Sequence, residues 1–142
     1  MFVGTYTPKL DDKGRLVLPA KFREELEKGL MITRGQDHCL TIHRLEDFVA
    51  LNRRLQEASL TNKRVRSYVR VLHSGAYREF PDSQGRITIP PVLRDYASLT
   101  KEVVVIGSMS QVEVWEPQRW ATYLAEQEQE FADLGEEIFP GI

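Results

Sequence analysis

The stretch Leu10–Pro19, "LDDKGRLVLP", reads as a hairpin: a polar turn carrying one glycine, then a short alternating apolar run closed by proline. At a constant offset of 71, Pro81–Pro90 reads "PDSQGRITIP", with Asp, Gly, Arg and Pro at the same spacing and the residues between them changed. The register extends outward from the two turns. Gly4 pairs with Gly75, Tyr6 with Tyr77, Asp11 with Asp82, Gly14 with Gly85, Arg15 with Arg86, Pro19 with Pro90 and Arg23 with Arg94. Identities in one register mark an internal repeat. After a single-residue shift the match continues weakly, through Gly35 with Gly107, Leu40 and Ile42 with Val112 and Val114, and Phe48 with Trp120.

Each copy predicts the same series of elements. A strand ("FVGTYT", then "GAYREF") passes through the turn into a second strand ("RLVLP", then "RITIP"). Glycine supplies the positive φ that such turns need. Proline then opens a helix, "PAKFREELEKG" with Phe22 and Leu26 on one face and Gly29 as its stop, or "PPVLRDYASL". A hairpin follows, then a longer helix: residues 46–58 with Phe48, Leu51 and Leu55 on one stripe, and "PQRWATYLAEQEQEFADL" with Trp120, Tyr123 or Leu124, and Phe131. Between the copies "TNKRVRSYVRVLHSG" predicts a helix with Val65, Val69 and Leu72 inward and Lys63, Arg64, Arg66 and Arg70 elsewhere. The expected division is repeat one over 2–58, a connecting helix over 59–74, repeat two over 75–132 and an acidic tail over 133–142. No Pro/Gly/Ser-rich linker separates the copies, and about 60 residues make a marginal core alone. Two copies packed into one pseudo-twofold unit are therefore expected.

The composition, 42% apolar over 142 residues, is that of an ordinary globular protein. With no long apolar run and no basic start followed by an apolar stretch, the chain reads as cytosolic with no membrane partner. The single Cys39 has no internal disulfide partner, and "DHCLTIH" lacks paired ligand spacing, so Cys39 reads as a small buried apolar residue and no metal is expected. Net charge is −2, but residues 1–100 hold 17 Lys+Arg against 12 Asp+Glu, while residues 101–142 hold 2 against 9. A basic surface on an acidic protein is therefore permitted, with the acidic tail reading as a solvated helix face.

A hairpin turn needs glycine for its backbone; it does not need arginine. An arginine four residues after an aspartate in both copies has two readings. Asp11 and Asp82 hold the guanidinium groups of Arg15 and Arg86 as planar forks for a ligand, or they form local ion pairs that stiffen the turn. Guanidinium forks recognise phosphates, carboxylates and the O6/N7 edge of guanine, and two of them about a twofold suit a repetitive polyanion.

The start "MFVGTY", both Asp-x-x-x-Arg turns, "GRLVLPAKFRE" and "GRITIPPVLR" resemble the MraZ family of bacterial transcriptional regulators over essentially the whole chain except the C-terminal tail. The resemblance implies an α+β fold in which two AbrB-like (SpoVT/AbrB, swapped-hairpin) modules form one pseudo-twofold double β-barrel core with helices outside. It implies a ring homo-oligomer of eight or more subunits. It further implies binding to double-stranded DNA carrying short repeated boxes in the promoter of the division and cell-wall gene cluster, including the protein's own gene, usually with repression, and a nucleoid-associated place in the cytoplasm. The family's signature residues fall on Asp11 and Arg15 in copy one and on Asp82 and Arg86 in copy two, with Gly14 and Gly85 shaping the turns. The expected DNA-binding set is Arg15, Arg86, Lys13 and Lys9. The two lysines have no equally placed basic counterparts in copy two, where Ser83 and Gln84 follow the aspartate.

No nucleophile with a base, carboxylate pair or metal cluster of recognisable spacing is present, so no enzyme activity and no cofactor are expected. His38, His43 and His73 read as structural. The rival function is an AbrB-like oligomeric scaffold or antitoxin-type interaction module.

Overall fold

The computed structural model describes residues 1–58 and 61–138; side chains of residues 135–137 and the last four residues of the expected tail lie outside the description. Fourteen elements alternate along it: β1 (Thr5–Tyr6), β2 (Arg15–Val17), α1 (Ala20–Leu26), β3 (Leu30–Arg34), a 3-10 turn (Gln36–His38), β4 (Leu40–Arg44), α2 (Leu45–Glu57), α3 (Lys63–Ser74), β5 (Tyr77–Glu79), β6 (Arg86–Thr88), α4 (Pro91–Tyr96), β7 (Val104–Ser108), β8 (Gln111–Trp115) and α5 (Pro117–Ile138). The fold is mixed α+β with antiparallel strands.

The repeated turn does not close the hairpin that its sequence suggests. β2 does not pair with β1; it pairs with β6, its counterpart in the other copy, with Arg15 opposite Thr88, Leu16 opposite Ile87 and Val17 opposite Arg86. The remaining strands form one sheet in the order β1-β7-β8-β4-β3-β5, so each copy lends its first strand to the hairpin of the other. The physical reason is that a three-residue strand carries too little pattern to name its partner; burial of Leu16 and Ile87, 0% and 2% exposed, decides it.

The registers locate the symmetry. Leu16 faces Ile87 at the centre of the β2–β6 ribbon, and these are equivalent at the offset of 71. Thr41 faces Glu113 in the β4–β8 pair, and these are equivalent at the offset of 72 that follows the single-residue shift. A pseudo-twofold axis therefore runs through both pairs.

A single core serves both copies. Leu16, Leu18, Leu30, Ile32, Leu40 and Ile42 of the first interdigitate with Ile87, Ile89, Val105, Val112 and Val114 of the second, all buried. Each such side chain contributes roughly 1.5–3 kcal/mol by leaving water, and neither half could bury its set without the other. Phe22 of α1 seals one end with its edge against Phe2 and Tyr6, ring centroids 5.2 Å apart in each pair.

The helices are set by their ends. Pro19 precedes α1 and Pro91 opens α4 at its first position. Gly29 follows α1 at φ +119, a conformation in which its missing side chain also leaves room for Phe80. Asn62 caps α3 by accepting the Arg64 and Val65 amides at 2.9 and 3.4 Å, and Arg34 closes the other end by donating to the Val71 carbonyl at 2.9 Å. α5 behaves differently along its length. Trp120 and Tyr123 pack on Trp115, centroids 5.2 and 5.1 Å away, but Phe131 on the same predicted stripe is 77% exposed. At 1.5 Å per residue α5 is about 33 Å long, whereas five-residue strands span about 17 Å, so the helix outruns the surface that its first turns cover.

Candidate nucleic-acid interface

The site begins with a five-residue loop that closes on itself. In copy one the Asp11 amide donates to the Arg15 carbonyl and the Gly14 amide to the Asp11 carbonyl, both at 3.0 Å. The Asp11 carboxylate turns inward over the loop: Oδ1 accepts the Lys13 and Arg15 amides at 2.9 Å, and Oδ2 accepts Arg15 Nε at 2.6 Å. Copy two repeats this pattern. Asp82 Oδ1 accepts the Gln84 and Arg86 amides at 2.9 Å, and Oδ2 accepts Arg86 Nε at 2.8 Å. Gly14 and Gly85 sit at φ +74 and +75, where other residues are strained. Both carboxyls are held below the ordinary carboxylate range, first by the amide of the arginine that follows and then by its guanidinium.

These loops launch the ribbon strands, and alternation does the rest. Leu16 and Ile87 point into the core, so Arg15, Val17, Arg86 and Thr88 lie on the outward face. In this register Arg15 and Arg86 are diagonal neighbours, with backbones about 7–8 Å apart, and the pseudo-twofold relates them. Because each Nε is held by its aspartate, the paired terminal nitrogens remain to form a planar fork for an acceptor pair. The structure thus brings Asp11, Arg15, Asp82 and Arg86 onto one surface, with Gly14 and Gly85 buried beneath it.

Lys13 lies exposed on the first turn, beside Arg15. Lys9 is also exposed but sits at a bridge to Glu102, away from the loop itself. Its counterpart at the offset of 71 is Phe80, 60% exposed with its ring edge beside Gly29, so copy two carries no cation at that position.

Two further arginines flank the loops without having been assigned a role from sequence. Arg23 in α1 donates from Nε to the Leu18 carbonyl and Arg94 in α4 to the Ile89 carbonyl, each at 3.0 Å. A methyl built on Gly85 would lie 2.5 Å from Arg23 Nε, and one built on Gly14 would lie 2.7 Å from Arg94 Cζ. Their identity within the repeat register was the available signal; their targets in the opposite copy were not readable.

The remaining polar groups show no catalytic arrangement among the described residues, and no group of metal-ligating side chains occurs there. Cys39 is buried, and burial pushes its thiol up to about 12. His43 is buried against Phe48, its imidazole held down to about 4 by burial. The ring nitrogens of His73 lie 2.8 Å from the Val69 carbonyl oxygen and 2.9 Å from Asn52 Oδ1, which joins α3 to α2. No helix is long and apolar enough to cross a membrane.

The chain is similar to a family whose model is described as "MraZ protein, putative antitoxin-like", which matches twice in succession, over residues 1–71 and 72–139. It is also similar to proteins named "Transcriptional regulator MraZ". That of Parafrankia sp. (strain EAN1pec) is 56% identical over 142 residues, covering 100% of this chain and 99% of the relative. That of Leifsonia xyli subsp. xyli is 52% identical with the same coverage, and that of Cutibacterium acnes is 55% identical over 139 residues, 98% of each chain. With two tandem matches to one family model and curated relatives more than half identical along their whole length, the chain belongs to the MraZ family.

Proposed function

We propose that this chain is a transcriptional regulator that reads double-stranded DNA in a sequence-specific manner with the outward face of the β2–β6 ribbon. One observation carries the reading: Arg15 and Arg86, each held by an aspartate through Nε, stand on one face about a pseudo-twofold. The major groove admits a two-stranded ribbon, and a guanidinium fork matches guanine O6 and N7. Lys13 and Lys9 would add phosphate contacts, which position without specifying. In this reading AbrB-like repeats over 2–58 and 75–132, joined through 59–74, form a double barrel with an acidic tail over 133–142, and the protein represses the division and cell-wall promoter, including that of its own gene, in the nucleoid.

A ring follows from the charge. One ribbon with a handful of cations on a chain of net charge −2 offers fewer phosphate contacts than tight operator binding usually uses. Identical subunits in a closed ring would present several ribbons, and effective concentration then raises avidity by roughly 100- to 10,000-fold on DNA carrying repeated boxes. Mobility shift of the DNA upstream of the coding sequence tests the reading. Arg15→Ala should weaken binding about 100-fold at unchanged oligomer size by light scattering. Inserting about 5 bp between boxes should weaken it more than inserting about 10 bp, since half a helical turn rotates a box to the opposite face. A monodisperse monomer that binds one box as tightly as the assembly binds several would refute the ring.

The exposed Phe131 on the outer part of α5 favours a second reading, an AbrB-like scaffold or antitoxin-type module that docks a protein through that helix. DNA binding separates the two. The regulator should lose affinity with salt at a log-log slope of about −0.9 per neutralised phosphate, and a scaffold should show no such binding.

A further inference from the structure

We propose that Arg23 and Arg94 are positioning residues wired across the two copies: Arg23 of the first sets the Asp82–Arg86 loop, and Arg94 of the second sets the Asp11–Arg15 loop. The geometry is a closed circuit. Arg23 Nε donates to the Leu18 carbonyl at 3.0 Å, the Leu18 amide donates to the Gly85 carbonyl at 2.9 Å, and the Arg23 side chain lies against Gly85, where a methyl would meet Nε at 2.5 Å and Cζ at 2.9 Å. The mirror circuit runs from Arg94 Nε to the Ile89 carbonyl at 3.0 Å, from the Ile89 amide to the Gly14 carbonyl at 2.9 Å, and from the Arg94 guanidinium back to Gly14.

A guanidinium suits this task because it is flat, donates through Nε at a fixed angle and leaves its face to pack on a backbone lacking Cβ. Gly85 immediately precedes Arg86, and Gly14 immediately precedes Arg15, so whatever holds the glycine fixes where the recognition arginine begins. Arg23 and Arg94 take part in none of the ion pairs among the described residues, unlike Arg15 and Arg86. Their ordering comes from the loop that they clamp. Damage to one copy's helix is then felt at the other copy's arginine.

The inference rests on the DNA reading for its functional consequence but not for its wiring, and two measurements on the full chain keep them apart. The first needs no DNA. Hydrogen exchange in Arg23→Ala should quicken at the Gln84 and Arg86 amides more than at those of Lys13 and Arg15, and Arg94→Ala should show the reverse. Faster exchange confined to the substituted copy, or no change at either loop, overturns the wiring. The second is a pair of double-mutant cycles with duplex from upstream of the coding sequence. Arg23→Ala should weaken binding roughly tenfold in an otherwise native chain, the size expected for one lost charged hydrogen bond. It should have little further effect in Arg86→Ala, yet keep its full effect in Arg15→Ala. Additivity with both arginines would instead mean that Arg23 touches DNA directly and acts through neither. If Arg23→Ala fails to fold, Arg23→Lys retains the charge and the stem without the planar fork, and should give the same crossed pattern in both measurements. Absence of DNA binding by the native chain would sink the functional reading and leave the exchange result to judge the wiring.

Discussion

The two copies make the same bonds at their loops and differ in what surrounds them. Asp11 and Asp82 make the same three bonds, to amides at 2.9 Å and to the following arginine at 2.6 and 2.8 Å. Yet Lys13 in copy one is matched by Gln84, and Lys9 by Phe80. Deeper in the fold, His43 packs on Phe48 where copy two has Trp115 packed on Trp120, at equivalent positions with the offset of 72. The repeat therefore keeps loop geometry and the forked arginines, while the flanking lysines and the buried histidine belong to copy one. Symmetry of fold does not bring symmetry of surroundings.

The largest expected effect probes the buried ring pair. The His43 imidazole is held down to about 4 from an ordinary value of 6.5, mainly by burial and against the opposing pull of the Asp47 carboxylate. Between pH 6.5 and 4 the unfolded chain takes up a proton that the folded chain refuses. Stability is thus fully present above pH 6.5 and falls as the pH drops towards 4, by on the order of 3 kcal/mol. Denaturant melts across that range should show the loss in the native chain and a flatter profile in His43→Phe. Trp115→Phe, the matching change in copy two, should leave the slope alone; an equal slope in His43→Phe would remove this asymmetry.

Recognition comes next in size. Arg15→Ala should weaken binding to upstream duplex about 100-fold and Arg86→Ala about tenfold, because only the first is flanked by Lys13 and Lys9. Equal losses in titrations by fluorescence anisotropy would show that the lysines do not bias the copies. The smallest effect sharpens the same point. Gln84→Lys restores to copy two the cation that copy one carries, and should tighten binding about threefold while steepening the salt slope by about 0.9. Lys13→Gln should do the opposite by a similar amount, and an unchanged slope in both variants would place the turn away from phosphate.

The loops were legible because their bonds are local. Asp11 reaches amides two and four residues ahead, and Gly14 adopts a φ that glycine tolerates, so the Asp-x-x-Gly-Arg spacing already contains the geometry. The helices were legible from Pro19 and the stripes of Phe22 with Leu26 and Val65 with Leu72, whereas the Asn62 cap starts α3 later than the expected bound of 59. The hairpin expected from Leu10–Pro19 was not what formed. Its turn chemistry holds equally well when the strand leaving the loop pairs elsewhere, and nothing in "RLV" prefers β1 to β6. The stripe on α5 misled in another way: Phe131 continues the periodicity of Trp120, but periodicity cannot report where the covering surface ends.

By itself the sequence determined the repeat, the self-closed loops, the helices that follow Pro19 and Pro90 and the four residues Asp11, Arg15, Asp82 and Arg86 that form two equivalent forks, because each depends on neighbours within a few positions or on a period along the chain. Only the tertiary structure decided that the copies exchange strands, that both arginines share one ribbon face, and that Arg23 and Arg94 rest on glycines of the opposite copy. Those outcomes depend on which apolar faces meet when Leu16 and Ile87 are buried together. That choice is made by packing between distant segments, where a short strand's own residues carry almost no information about its partner.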